Sequence, residues 1–449
     1  MATVTRVPAT SDFEFEDRVL RKTFRRLIVF LFLIYIFNYL DRINLGFAAL
    51  SMNRELKLTA TMFGLANTIF AAGYAVCEIP SNVLLARFGA RKWIARILFT
   101  WGLASTATMF VIGPHSLYTI RLIEGIAEAG FVPGILLYLT FWFPPSFRAR
   151  ATALFLIAQP VTIIIGSSLS GVILDSHGIL GLSGWRLLFF VEGFPAMILG
   201  IVTYFYLSDR PADCRWLNEK EKAALEGRLQ REQTVPSTHA SYRKAWREIF
   251  TRNALLLSLA YFGIVAALNT TAYWTPQILR EVAKHRSFSY VGLLTAIPAV
   301  LTAIAMPIWG SRSDRKMERT WHLIGPLLLA ATGWAVVAFV SMPESRLLGL
   351  ICASVGGFVA MTIFWTIPPH VLSPGARPVG IAFISTAGMI GGLVAPFVVG
   401  FLKDLTHTFT ASLLFIVVVL VIAAAAVFLV PAAERKRVAV MAGVAESAD

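Results

Sequence analysis

The chain has 449 residues, 57% hydrophobic and only 15% charged, against about 25% charged in an ordinary soluble domain. Its 40 Lys and Arg outnumber 26 Asp and Glu, giving a formal net charge of +14. This composition argues against a soluble enzyme and leaves the basicity to be explained. Cys77, Cys214 and Cys352 show neither a disulfide framework nor metal-ligand spacing.

Twelve apolar runs follow in chain order, at 27 to 50, 60 to 86, 93 to 112, 117 to 142, 151 to 175, 186 to 207, 253 to 278, 288 to 310, 320 to 341, 345 to 371, 379 to 401 and 408 to 430. About 20 residues at about 1.5 Å each cross a hydrocarbon core of roughly 30 Å, so each run is expected to span a membrane. The first exceeds the 7 to 15 apolar residues, roughly, of a signal-peptide core and is read as a retained helix. It contains NYLDRINLG, residues 38–46, with Asp41 and Arg42 side by side.

A charge at a helix centre costs about 2.5 to 3.5 kcal/mol on insertion scales and faces a cavity or a partner. Neighbouring residues point about 100° apart, so Asp41 and Arg42 must look to different partners. The fourth run supplies candidates in RLIEGIAEAG: Arg121, Glu124 and Glu128. Arg121 and Glu128 share a stripe, with Glu124 about 60° aside. Asp41 and Glu128 lie roughly 14 and 16 Å from the outer ends of their runs, so the two carboxylates could meet at one level. The residue types suggest that Asp41 and Glu128 take up protons while Arg42 and Arg121 attract a carboxylate. The alternative is that all four are ion pairs locking the first and fourth helices.

Residues 208–252 form the long polar connection and divide the runs six and six. Its WLNEKEKAALEGRLQRE reads as a surface helix with Asn218 at the N-cap and Glu221 at the third helical position. QTVPSTHAS reads as a linker, and YRKAWREIF as a short amphipathic piece. The expected organisation is an N-terminal bundle with its tail over 1–207, the connection, a C-terminal bundle over 253–431 and a tail over 432–449. Most Lys and Arg fall in the termini and in loops on one side. That places both termini in the cytoplasm of a multi-pass plasma-membrane protein, a bacterial inner membrane being expected, and makes the basicity topological rather than a nucleic-acid surface.

The loop NVLLARFGARKW, 82–93, matches GSRSDRKMERTW, 310–321, at one offset: Arg87 with Arg315, Arg91 with Arg319, Trp93 with Trp321. Arg148 and Arg377 repeat nearly the same spacing. Parallel repeats of this kind hold substrate between two bundles that rock against each other.

The whole chain resembles a major facilitator superfamily transporter. GSRSDRKMER carries that superfamily's loop signature, whereas the first copy has Asn82 where Gly is usual and Ala86 where Asp is usual. NYLDRINLGFA, EIPSNVLLARFGARKW, RLIEGIAEAGFVPGILLYLTFWFP followed by RARA, and YWTPQIL resemble the anion:cation symporter branch, whose members take up organic anions such as tartrate, sugar acids and phthalate with protons. The resemblance implies an all-α membrane fold of two pseudo-symmetric six-helix bundles. It supports the proton and anion roles above. It further implies substrate contacts at Tyr39, Tyr74, Gln159, Thr362, Trp365 and Ser385, and a gating loop using Arg87, Arg91, Asp314 and Arg315. Asn is frequent in the branch where Ser385 stands.

Asn269, Tyr273 and Trp274 are expected to pack more than to line a cavity. Glu78 and Glu192 are given structural roles, and Pro133, Pro160, Pro298 and Pro396 are expected to bend or loosen helices. No P-loop, HExxH or GxSxG pattern occurs, so neither an enzyme nor a cofactor or metal is expected. The partners expected are a small organic anion, protons and lipid, with the chain acting as a monomer. Export of drugs or cations and a signalling receptor on a transporter fold are the competing functions.

Overall fold

The computed structural model describes residues 10–176, 179–232, 250–316, 318–372 and 377–430. The linker 233–241, most of the amphipathic piece 242–250 and the tail 432–449 lie outside them. Among the described residues every regular element is helical. In lipid this follows from the backbone, which must satisfy its hydrogen bonds within each segment.

The first half comprises α1 (Thr10–Glu55), α2 (Ala60–Phe88), α3 (Ala90–Ala107), α4 (Pro114–Glu128), α5 (Phe131–Trp142), α6 (Pro145–Leu156), α7 (Ala158–Asp175) and α8 (Gly184–Tyr206). The connection holds α9 (Glu219–Glu232). The second half comprises α10 (Arg252–Val282), α11 (Phe288–Lys316), α12 (Thr320–Phe339), α13 (Pro343–Phe364), α14 (Pro368–Val371), α15 (Arg377–Thr406) and α16 (Thr410–Leu429). Three expected spans are therefore jointed: α4 with α5, α6 with α7, and α13 with α14.

Among the described residues, eleven helical stretches are long and apolar enough to cross a membrane. The twelfth crossing is α3, which carries Arg91, Lys92 and Arg96 near its start and reaches Phe110 through a 3-10 turn. Large apolar side chains such as Val76, Ile112, Phe205 and Ile308 are exposed, as a lipid-facing surface requires. Pro133 and Pro160 each stand in the first turn after a joint, whereas Pro298 and Pro396 lie inside continuous helices.

The expected capping box of the connecting helix is present. Glu221 N donates to Asn218 Oδ1 at 2.9 Å, and Asn218 N donates to Glu221 Oε2 at 3.0 Å. The helix docks on the N-terminal extension of α1 through Lys22 with Glu221 (2.7 Å) and Arg228 with Asp17 (2.6 Å). This end of the molecule is called the α9 face below.

The halves pack through α2 with α15, α7 with α11, and α1 with α10. The closest approaches lie near the opposite end, the far face. A methyl group at Gly64 would sit 2.3 Å from Pro396 O, and one at Gly292 2.3 Å from Ser167 O. Small residues of this kind let helix backbones touch, which is how membrane helices gain dispersion energy where lipid leaves little hydrophobic drive.

Candidate substrate and proton site

The joint in the fourth span sets the geometry. Pro133 has no N–H for the carbonyl of Ala129, and its ring crowds that carbonyl. Gly130 adopts φ +84, the left-handed region that glycine enters without steric cost. A Cβ there would also lie 2.6 Å from Ser81 Oγ. The helix α4 therefore ends at Glu128, where the partial negative charge of its C-terminus favours a nearby cation.

Arg42 supplies it. Its Nη2 and Nε donate to Glu128 Oε1 at 2.8 and 3.2 Å, and Asn38 Nδ2 donates to the same oxygen at 2.9 Å. Glu128 Oε2 has no hydrogen-bond partner among the described residues. The pair is asymmetric, with the Arg42 side chain 31% exposed and that of Glu128 fully buried. Aromatic rings flank the guanidinium, with Tyr74 at 5.4 Å and Phe70 at 6.0 Å.

Asp41 turns the other way, towards α3. It accepts Trp101 Nε1 at 2.9 Å, the Ser105 hydroxyl, and Asn44 Nδ2 at 3.3 Å. Arg121 pairs with Glu124 at 2.6 Å, both sealed from solvent, and lies 4.1 Å from the centre of the Phe70 ring.

Among the described residues no hydrogen bond joins Asp41 to Glu128: Asp41 accepts from Trp101, Ser105 and Asn44, and Glu128 from Arg42 and Asn38. Arg121 pairs with Glu124 three residues on, a spacing that suits an ion pair on one helix face. Asn38, Asn44, Trp101 and Ser105 complete the cluster beyond the sequence candidates. The spacing of Trp101 and Ser105, one helical turn apart in a span with charges near its start, was the available signal.

The remaining candidates scatter. Gln159 Nε2 donates to Tyr35 Oη at 2.7 Å, and Tyr39 stands edge-on to Tyr35. Tyr39 also borders a cavity of about 30 Å³ between the halves, opposite Thr271, Thr275, Thr295 and Ser354. Thr362 donates to Phe358 O of its own helix at 3.0 Å, Trp365 packs edge-on against Tyr261 at 4.8 Å, and Ser385 is partly buried. Of the other residues considered, Tyr273 and Trp274 are buried, Asn269 bonds Val265 O, and Glu192 accepts Ser170 Oγ at 2.8 Å.

In the loops at the α9 face, Asp314 pairs with Arg319 at 2.6 Å, while Arg87 and Arg315 are exposed. Arg91 donates its backbone N–H to Asp209 at 2.8 Å. Glu318, beside Arg319, has its carboxyl pulled up by partial burial, but the hydrogen bonds from His322 and two backbone N–H groups outweigh this and hold it below the ordinary value.

Two packed halves with a charged cluster in one of them are a transporter's arrangement. A model of the Major Facilitator Superfamily matches residues 31–396 and, overlapping, 282–445. The chain belongs to this superfamily. A superfamily relative from Agrobacterium vitis, named "Putative tartrate transporter", is 42% identical over 403 residues, covering 90% of this chain and 89% of that protein. Another, the "Quinolone resistance transporter" of Acinetobacter baumannii, is 33% identical, covering 90% of this chain and 92% of its own. Among solved structures, a bacterial homolog to the human lysosomal transporter Spinster, inward-facing and unoccupied, matches with a TM-score of 0.74 at 19% identity over 93% of this chain and 97% of that one. That likeness carries the superfamily fold. The protein is accordingly a multi-pass membrane transporter rather than an enzyme.

Proposed function

We propose that the protein imports a small organic anion together with protons by alternating access, with tartrate and other small hydroxy- or aromatic carboxylates as the substrate class. The Arg42–Glu128 pair carries this reading. Its cation is partly open and its anion is buried, so an incoming carboxylate reaches the guanidinium first and competes with Glu128 for it. A guanidinium binds a carboxylate through two parallel N–H bonds and stays charged throughout. Glu128, left without its cation, is a buried charge at a helix C-terminus, and taking up a proton removes that cost. Anion and proton then enter together.

Asp41 is the second proton site in this reading, reached when the Ser105 hydroxyl turns away, and Arg121 the second anion contact once it leaves Glu124. Tyr39, Tyr74, Gln159, Thr362, Trp365 and Ser385 contact the rest of the substrate. The gating loops around Arg87, Arg91, Asp314 and Arg315 separate on the α9 face, which is cytoplasmic with both termini. Residues 1–207 and 253–431 rock about the connection 208–252, with the chain acting as a monomer in a bacterial inner membrane.

The test is uptake of labelled tartrate, glucarate and phthalate into proteoliposomes with and without an imposed pH gradient. Accumulation driven by an acidic exterior in the wild type, lost in Glu128→Gln with exchange retained, supports the reading; full proton-driven accumulation in Glu128→Gln, Asp41→Asn, Arg42→Ala and Arg121→Ala would falsify it. The relative of Acinetobacter baumannii favours a second reading, drug export. Quinolone efflux from loaded vesicles with no organic-acid uptake would decide for it.

A further inference from the structure

Where the halves meet at the far face, the same contact occurs twice. Asp404, near the end of α15, accepts Ala60 N at 3.0 Å, Thr61 N at 2.7 Å and the Thr61 hydroxyl at 2.5 Å, all at the start of α2. Asp175, at the end of α7, accepts Phe288 N at 2.9 Å, Ser289 N at 2.8 Å and the Ser289 hydroxyl at 2.5 Å, at the start of α11. Each helix also caps itself with the residue before: Met62 N donates to Thr59 Oγ1 and Tyr290 N to Ser287 Oγ, both at 3.2 Å. Thus the first N–H groups of each helix, which have no partner within it, are divided between its own half and the other.

The sequence repeats with the contact. TATMFG at 59–64 corresponds to SFSYVG at 287–292, and GVILD at 171–175 to GFLKD at 400–404. The glycines place the backbones in touch. A methyl at Gly171 would lie 2.6 Å from Phe288 O, and one at Gly400 2.2 Å from Ala60 O. An Asp closing one helix and an S/T-x-S/T start of another therefore meet across the two halves in both pseudo-symmetric positions.

We propose that Asp175 and Asp404 are paired latches of the far-face gate, each holding a helix N-terminus of the opposite half, and that both release when the transporter opens to that side. The proposal rests on the alternating-access reading above. A carboxylate at a helix N-terminus is favoured by the helix dipole and by charge-assisted bonds from the free N–H groups. Moving the halves apart removes two such contacts at once, on either side of the α1 and α10 contact. The latches thereby bias the resting protein towards the state closed at the far face, independently of which substrate is carried.

The experiment is single-molecule fluorescence transfer in proteoliposomes without substrate, with dyes on His115→Cys and Glu344→Cys at the far-face ends of the two halves, the native cysteines being replaced by serine. Asp175→Asn and Asp404→Asn keep side-chain volume and remove the charge. Each is expected to raise the ratio of far-face-open to closed molecules roughly fivefold, and the double variant roughly 25-fold, as separate contacts of this strength would. An unchanged distribution in the single variants and the double one overturns the latches. A second test uses the unmodified chain. Deuterium exchange at residues 60–61 and 288–289 is expected to rise in parallel with the open fraction as pH and tartrate concentration are varied; exchange unrelated to it also overturns the proposal. Because both readouts work without net transport, failure of organic-anion uptake would count against the proposed substrate and leave the latch result standing.

Discussion

The two halves share one scaffold and differ in what they bury. The first half encloses Asp41, Arg121, Glu124, Glu128 and Glu192, whereas among the described residues of 253–430 no Asp, Glu, Lys or Arg is buried. The second half offers hydroxyls instead, at Ser258, Thr270, Thr275, Thr295, Thr302 and Ser354. At the far face the halves are alike again, Asp175 and Asp404 binding helix starts in the same way. The comparison teaches that the contacts between the halves at the far face are duplicated, while among the described residues the buried ions of the membrane interior lie in one half. A charge in the membrane interior needs a partner wherever it sits, and one cluster keeps each charge near its partners.

The largest expected effect breaks the charged side. Arg42→Ala removes charge-assisted hydrogen bonding of about 1.5–3 kcal/mol in total, so tartrate affinity is expected to fall roughly 10- to 150-fold, measured by isothermal titration or by the half-saturation of exchange. An unchanged affinity would mean that the first half does not hold the anion.

The next prediction sharpens the likeness. Gly64→Val and Gly292→Val each drive a side chain into the other half's backbone, at Pro396 and Ser167. Overpacking of this kind costs about 1–3 kcal/mol, so both variants are expected to slow uptake to a similar extent, roughly 5- to 100-fold if the cost falls on closing. Strongly unequal losses would show that the two halves do not share the closing motion.

On the hydroxyl-bearing side the expected effects are smaller. Thr362→Val gives up at most one neutral hydrogen bond, about 0.5–1.5 kcal/mol, which corresponds to roughly a 2- to 12-fold rise in KM with kcat retained. A loss as large as that of Arg42→Ala would place the anion contact in the second half instead.

The smallest effect concerns α9. The Lys22 ammonium beside Glu221 holds its carboxyl below the usual carboxylate range, so the contribution of this pair is complete above the ordinary Glu value of about 4.3 and is lost as pH falls through the lowered one. Glu221→Gln is expected to shift Tm by less than about 2 °C at pH 7. A larger shift would make the docking of α9 more than a surface contact.

Much of this was legible beforehand. Apolar runs of about 20 residues read as crossings because their length and composition are set by the bilayer. Asn218 and Glu221 announced the start of α9 because a capping box is local chemistry. Asp41, Arg42, Arg121 and Glu128 drew notice because charge in an apolar run is costly. Their pairing was less legible. Depth suggested that Asp41 meets Glu128, yet Asp41 bonds Trp101 and Ser105 while Glu128 bonds Arg42 and Asn38. Helical rotation and neighbour identity, neither of which depth contains, made that choice.

The far-face contact shows the same division. GVILD and GFLKD, TATMFG and SFSYVG stand in the sequence as faint repeats without a stated purpose. By itself the sequence determined that this chain crosses the membrane many times, that it is built twice, and which residues carry charge into the apolar interior, since composition and periodicity act locally. Only the tertiary structure decided that Arg42 holds Glu128, that Arg121 holds Glu124, and that each half lays a carboxylate on the other's helix N-terminus. Those contacts join residues from about 85 to 345 positions apart or depend on side-chain rotation within a turn, and packing of whole helices sets them.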